Sequence, residues 1–228
     1  LCVYALMRIY VHMKSTIKKE LFGNKSLFDW GFLCLGLVLQ IVTYLITKDS
    51  TLSFISGLAG VFSVVLCSQK RISSYFFGFI QLFTYVTLCF QQNLYGEIGE
   101  NIFYFITMVV GIIVWAKHYE NIEVESRKLT SKGWILLTIL CVVCSLLLGM
   151  VLDVYTNDTQ PYLDAFSTIP AFIAQILLVT RYREQWVFWF IVDVTTGILW
   201  LRAGNYCMVV QYIFWIANCV YGYKKWSK

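Results

Sequence analysis

From Ile135 to Leu152 the chain runs for 18 residues without a charged side chain. Wound as an α-helix at 1.5 Å per residue, such a run is about 27 Å long, close to the ~30 Å hydrocarbon core of a bilayer. In water a segment this apolar would need cover on every side. The rest of the chain cannot provide it: of 228 residues, 59% are apolar and only 14% charged, whereas a soluble surface draws on about 25% charged residues. An outer-membrane barrel would instead show alternating segments of ~10 residues. With only two prolines in the chain, long helices are favoured over a loop-rich β fold. The run therefore reads as one crossing of an all-α integral membrane protein.

Further apolar segments give about eight transmembrane helices: Trp30–Thr47, Leu52–Cys67, Ser74–Phe90, Asn101–Lys117, Gly133–Leu152, Leu163–Thr180, Trp186–Leu201 and Met208–Tyr223. Residues 1–29 mix apolar side chains with Arg8, Lys14, Lys18, Lys19 and Lys25, and read as an amphipathic segment on the cytoplasmic surface. Basic residues accumulate in cytoplasmic loops. With the N-terminus inside, 16 of the 18 Lys and Arg fall on the inner side, leaving Lys48 and Arg202 outside. A wrong span count would scramble that division, so both termini are expected in the cytoplasm. The net charge of +5 then reflects topology. It does not indicate a nucleic-acid partner, because the basic residues are scattered over separate segments.

The chain also repeats itself. Ile102-Phe103 matches Ile213-Phe214, and Gly111-x-x-x-Trp115 matches Gly222-x-x-x-Trp226, at a shift of 111. Upstream, Asn93 with Asn205 and Thr84 with Thr196 suggest a shift of 112. The organisation read from this is a parallel 3+1+3 core: a three-helix repeat over 52–117, a linking helix over 133–152 and a second repeat over 163–224. One extra N-terminal helix, 30–47, precedes it. Parallel repeats of this kind hold a solute near mid-membrane in transporters.

Polar groups at membrane depth are costly and are candidates for function. Asp193 lies inside the seventh span, with Gln81 as its counterpart at the longer shift. Trp186, Trp189 and Asp193 follow at spacings of three and four, on one stripe of a helix. Gln211 and Asn218, seven apart, share a face of the eighth span. Asn101 opens the fourth. Tyr104 and Tyr212 add ring surface, as do Tyr85, Trp200, Trp215 and Tyr221. A Trp face is the best aromatic partner for a cation, a carboxylate adds charge attraction, and amides both donate and accept. The set suits a flat cationic solute carrying hydroxyl or carboxamide groups. Gln40, and Gln175 taken alone, read as interhelical packing. Trp30, Trp115, Trp134 and Trp226 read as the aromatic belt at the membrane surface. Cys141 and Cys144 form a C-x-x-C on an apolar helix with no His or acid beside it, which reads as packing.

Nothing assembles into an enzyme. Neither G-x-x-x-x-G-K-[ST] nor G-x-S-x-G occurs, and no cofactor or metal is expected. The residues Trp186-Val187-Phe188-Trp189, the pattern Gln211-Tyr212, Phe214, Asn218, Tyr221-Gly222-Tyr223 and Trp226, and the related Asn101, Tyr104, Gly111 and Trp115 resemble the PnuC family of bacterial nicotinamide riboside transporters. The resemblance covers about Ser56 to Trp226, with Ser74-Tyr75 where family members often carry Trp-Pro. It implies a fold like the sugar-transporting SWEET proteins, a homotrimer in the bacterial inner membrane, and facilitated diffusion of nicotinamide riboside, which a kinase then traps inside. Other vitamins such as thiamine or riboflavin, a sugar, or a membrane scaffold that transports nothing remain as alternatives.

Overall fold

The computed structural model describes residues 20, 23, 25–48, 50–91, 95–120, 123–156, 160–202 and 206–227. Most of the expected amphipathic segment over 1–29 lies outside them. The described chain forms eight α-helices: α1 (Leu27–Thr47), α2 (Thr51–Ser68), α3 (Ser73–Gln91), α4 (Tyr95–Lys117), α5 (Ser131–Tyr155), α6 (Pro161–Val179), α7 (Gln185–Arg202) and α8 (Tyr206–Trp226). They match the eight expected spans, with α4 starting six residues earlier. Two short strands, β1 (Tyr119–Glu120) and β2 (Glu123–Val124), pair antiparallel after α4.

Local chemistry sets the helix starts. Ser26 and Asp29 cap α1 reciprocally: Asp29 N–H donates to Ser26 Oγ at 3.2 Å and Ser26 N–H to the Asp29 carboxylate at 3.0 Å. Ser50 and Thr130 cap α2 and α5 through their hydroxyls. Pro161 begins α6, where its missing N–H costs nothing. α1, α2, α5, α6 and residues Glu100–Lys117 of α4 are long and apolar enough to cross a membrane by length and composition. The outward faces suit hydrocarbon. On α5, Ile135, Leu136, Ile139, Leu147 and Met150 are exposed, and only Cys141, Ser145 and Gly149, four apart, are buried. The structure is that of an all-α integral membrane protein.

The helices gather into two compact units, one ending at Glu125 and one beginning at Ser126. In the first, α1 packs on α2, α2 on α3 and α3 on α4. In the second, α5 packs on α6, α6 on α7 and α7 on α8.

The repeat reappears bond by bond. α2 ends with Lys70 N–H donating to Cys67 O at 3.0 Å and Arg71 N–H to Leu66 O at 2.9 Å. α6 ends with Arg181 N–H donating to Leu178 O at 3.1 Å and Tyr182 N–H to Leu177 O at 2.8 Å. Both are Schellman turns. Lys70 (φ 59°) and Arg181 (φ 68°) take the left-handed position usually left to glycine. Tyr75 meets Trp115 edge to face at 5.0 Å, and Trp186 meets Trp226 at 6.2 Å. Gly111 and Gly222 admit these rings: a side chain on Gly111 would strike Tyr75, and one on Gly222 would come within 2.5 Å of Trp186. Every pair is 111 residues apart.

Two expectations are corrected here. Thr84 donates to Ile80 O and Gln81 O, and Thr195, not Thr196, does the same to Ile191 O and Val192 O. The shift is therefore 111 here as well, which pairs Asp193 with Leu82 and Gln81 with Val192. In addition, Trp115 and Trp226 do not belong to an aromatic belt, since they are buried at 0% and 1% exposure.

A strap runs between the units' sequences. Val124 N–H donates to Lys70 O at 2.9 Å in the first unit. In the second, Arg127 N–H donates to Arg181 O at 2.7 Å and Arg183 N–H to Arg127 O at 2.9 Å. The carbonyls of Lys70 and Arg181 are thus satisfied. Ser126 Oγ caps the last helix through Trp226 O at 2.9 Å.

Candidate functional site

In the second unit Asp193 lies at the α7–α8 contact. Asp193 is 5% exposed and Asn218 2% exposed. On α6 the small side chains of Ala165, Ala171 and Ala174 are buried. Cys219 on α8 donates its S–H to Asp193 Oδ2 at 3.2 Å. Gln211, one face of α8 away from the lipid-exposed Ile213, is half-buried, and Tyr212 meets Trp215 edge to face at 5.0 Å. The Trp215 indole N–H is buried without a hydrogen-bond partner among the described residues.

The stripe expected on α7 divides. Trp186 and Asp193, seven residues apart, both face α8. Trp186 is 5% exposed and closes on Gly222 and Trp226, which makes it a packing ring. Trp189 is turned by about 60° from Trp186 and about 40° from Asp193, at 100° per residue. It packs, half-buried, against the cluster of Cys141, Ala174, Leu177 and Phe188. The cause is the groove left by Gly222, which draws the first indole under Trp226. Trp134 completes this side by meeting Phe188 edge to face at 5.6 Å. Gln175 on α6 is buried at 5% exposure.

In the first unit, Asn101 is 7% exposed, and the Tyr104 hydroxyl donates to Glu100 Oε1 at 2.6 Å. Gln81 lies over α2, where Gly60 leaves room for its amide. Ser56 Oγ donates to the Gln81 carbonyl at 3.5 Å, tying α2 to α3. Sequence reasoning missed Glu100 because it sits at the edge of its span and looks like a surface acid; its signal was Tyr104, four residues on. Cys219 was missed as well, since a cysteine in an apolar helix ordinarily reads as filler.

The helix interiors carry acids and amides but no cation. In α2, α3 and α6 there is no Lys or Arg, and in α4, α7 and α8 the basic residues, Lys117, Arg202, Lys224 and Lys225, stand in the last turn. Among the described residues, no three metal-ligating side chains gather.

A repeat-built helical body of this kind defines a membrane carrier of small solutes. Residues 50–228 match the family described as nicotinamide mononucleotide transporter. The chain is 32% identical to the nicotinamide riboside transporter PnuC of Haemophilus influenzae over 95% of this chain and 96% of that one. It is 30% identical to that of Neisseria mucosa, over 92% and 85%, respectively. A crystal structure of the vitamin B3 transporter PnuC superposes with a TM-score of 0.78 at 31% identity, covering 92% of this chain and 94% of that one. The chain belongs to the PnuC family of membrane transporters.

Proposed function

We propose that this protein carries nicotinamide riboside across a bacterial cytoplasmic membrane by facilitated diffusion, as a homotrimer with both termini in the cytoplasm. The observation that carries the reading is the buried Asp193 carboxylate on helices whose interiors hold no Lys or Arg. A solitary acid at such depth is unfavourable unless a cation visits it, and nicotinamide riboside is a pyridinium cation. Its ring fits the half-buried Trp189 face, and its carboxamide and hydroxyls fit the amides of Gln211 and Asn218. Tyr212 lies on the same helix as Gln211 and Asn218. Trp186 serves by holding α7 to α8. No chemical step is assigned to the protein.

The same charge pattern separates the riboside from the mononucleotide in the family's description. A phosphate adds up to two negative charges, and the helix interiors offer it acids and amides only. Thiamine is also cationic and is the second reading. Riboflavin and sugars lack the charge that Asp193 would meet. The test is uptake of labelled nicotinamide riboside into vesicles containing the protein, with unlabelled competitors. Competition by the riboside and none by the mononucleotide is expected. Equal competition by the mononucleotide would refute the reading, and competition by thiamine alone would replace the solute.

A further inference from the structure

The two units are in register where one of their pairs differs most in chemistry. At the shift of 111, Asp193 corresponds to Leu82 and Cys219 to Met108. Leu82 is buried, so the first unit closes this position with apolar side chains. The second unit buries a carboxylate and a thiol there, at 5% and 3% exposure, 3.2 Å apart. The first unit packs α3 on α4 with Leu82 buried and the Met108 side chain against Gly78, so that packing needs no carboxylate at this register. A carboxylate at membrane depth is costly, and its presence here points to a use.

We propose that Cys219 is a positioning residue, whose S–H holds the Asp193 carboxylate in one rotamer so that its charge is presented to the cationic ring of the solute. The bond engages Oδ2. A thiol is a weak donor, so it fixes the direction of the carboxylate while withdrawing little of its charge. Met108, at the matching place in the first unit, has no such proton to give. The inference rests on the proposed function, in that it takes the solute to be a cation.

The test uses purified full-length protein and two probes of nearly equal shape. One is nicotinamide riboside, and the other is its 1,4-dihydro form, whose ring is neutral. Binding is measured by calorimetry for wild type, Asp193→Asn, Cys219→Ala and Cys219→Ser. For the cation, Asp193→Asn should weaken binding about ten-fold or more and Cys219→Ala about three- to five-fold, as befits a charged partner and a donor to it. The neutral form should bind all four proteins alike, and Cys219→Ser, which restores a donor, should return cation binding to within about two-fold of wild type. A Cys219→Ala protein that keeps wild-type preference for the cation overturns the proposal. So does one that loses both probes equally, which marks a merely structural thiol. In either case wild-type binding of the cation leaves the transport reading standing. Wild type that binds neither probe refutes that reading and the proposal together.

Discussion

Trp186 and Trp189 stand three residues apart on one helix and have different neighbours. Trp186 is enclosed by Gly222 and Trp226, and Trp189 keeps a half-buried face. Truncation should separate them. Trp186→Ala removes a ring from a closed site and is expected to cost about 3–5 kcal/mol of stability, read as a large fall in the melting midpoint in detergent. Trp189→Ala is expected to melt closer to wild type and to weaken binding of the cation by about 1–2 kcal/mol. The reverse assignment would place the solute on the wrong indole. Sequence alone could not make this distinction. A Trp near a span end looks the same whether it faces lipid headgroups or a glycine on the next helix, and the register that pairs Trp186 with Gly222 exists only once α7 and α8 are docked. The Gly-x-x-x-Trp spacing was visible at Gly111 and Gly222, but the ring each glycine admits was not. Tyr75, in place of the tryptophan, plays the same part against Trp115.

The helices themselves were legible because length and apolarity suffice to mark a span, whatever packs beside it. The turns were not, because their conformation is set by bonds to distant chain. Lys70 and Arg181 show why: a left-handed residue usually announces itself as glycine, and here the Schellman bonds and the strap impose it on basic residues. The strain is of order 1–2 kcal/mol, offset in part by a cation at a helix C-terminus. Arg181→Val should therefore lower stability by about 1–2 kcal/mol more than Arg181→Gly, measured by thermal melting. Equal effects of the two would mean that the backbone is not strained there. The strands β1 and β2 were unforeseen because two residues carry no periodicity.

The start of α1 offers a pH test. Lys25 lies 5.0 Å over the Trp30 ring, and burial, aided by the Arg71 guanidinium, pushes its ammonium down to about 8, against the pull of Asp29 and Glu20. The cluster is held by Arg71 Nη2 donating to Gly23 O at 2.9 Å and Ser73 N–H donating to Glu20 Oε2 at 3.3 Å. Between pH 8 and the ordinary lysine value of 10.5, the unfolded chain holds a proton that the folded one has released. Stability contributed at this site therefore rises with pH across that window and is flat below it. Melting followed from pH 7 to 10 should show a rising component that Lys25→Met abolishes. A slope unchanged by that substitution would assign it to other groups.

At the scale of the whole molecule, the charge pattern carries more information than any single helix. An even number of crossings returns the chain to the side on which it began, and an odd number does not. Eight crossings that begin inside would divide the Lys and Arg into 16 on the inner side and two on the outer, and the eight helices allow that division. A ninth crossing or a missing one would put the C-terminal group Lys224, Lys225 and Lys228 outside, against the rule that basic residues stay in the cytoplasm. A fluorescent protein fused after the last residue should therefore glow, because it folds on the cytoplasmic side. Alkaline phosphatase inserted between Thr156 and Gln160, in the loop joining α5 to α6, should be active, because it needs the opposite one. A dark C-terminal fusion with an active loop insertion would remove one of the last three helices from the membrane. A glowing fusion with an inactive insertion would reverse α5 and undo the orientation of the repeat that follows it. Only the paired result satisfies the expectation from the sequence that both termini lie in the cytoplasm.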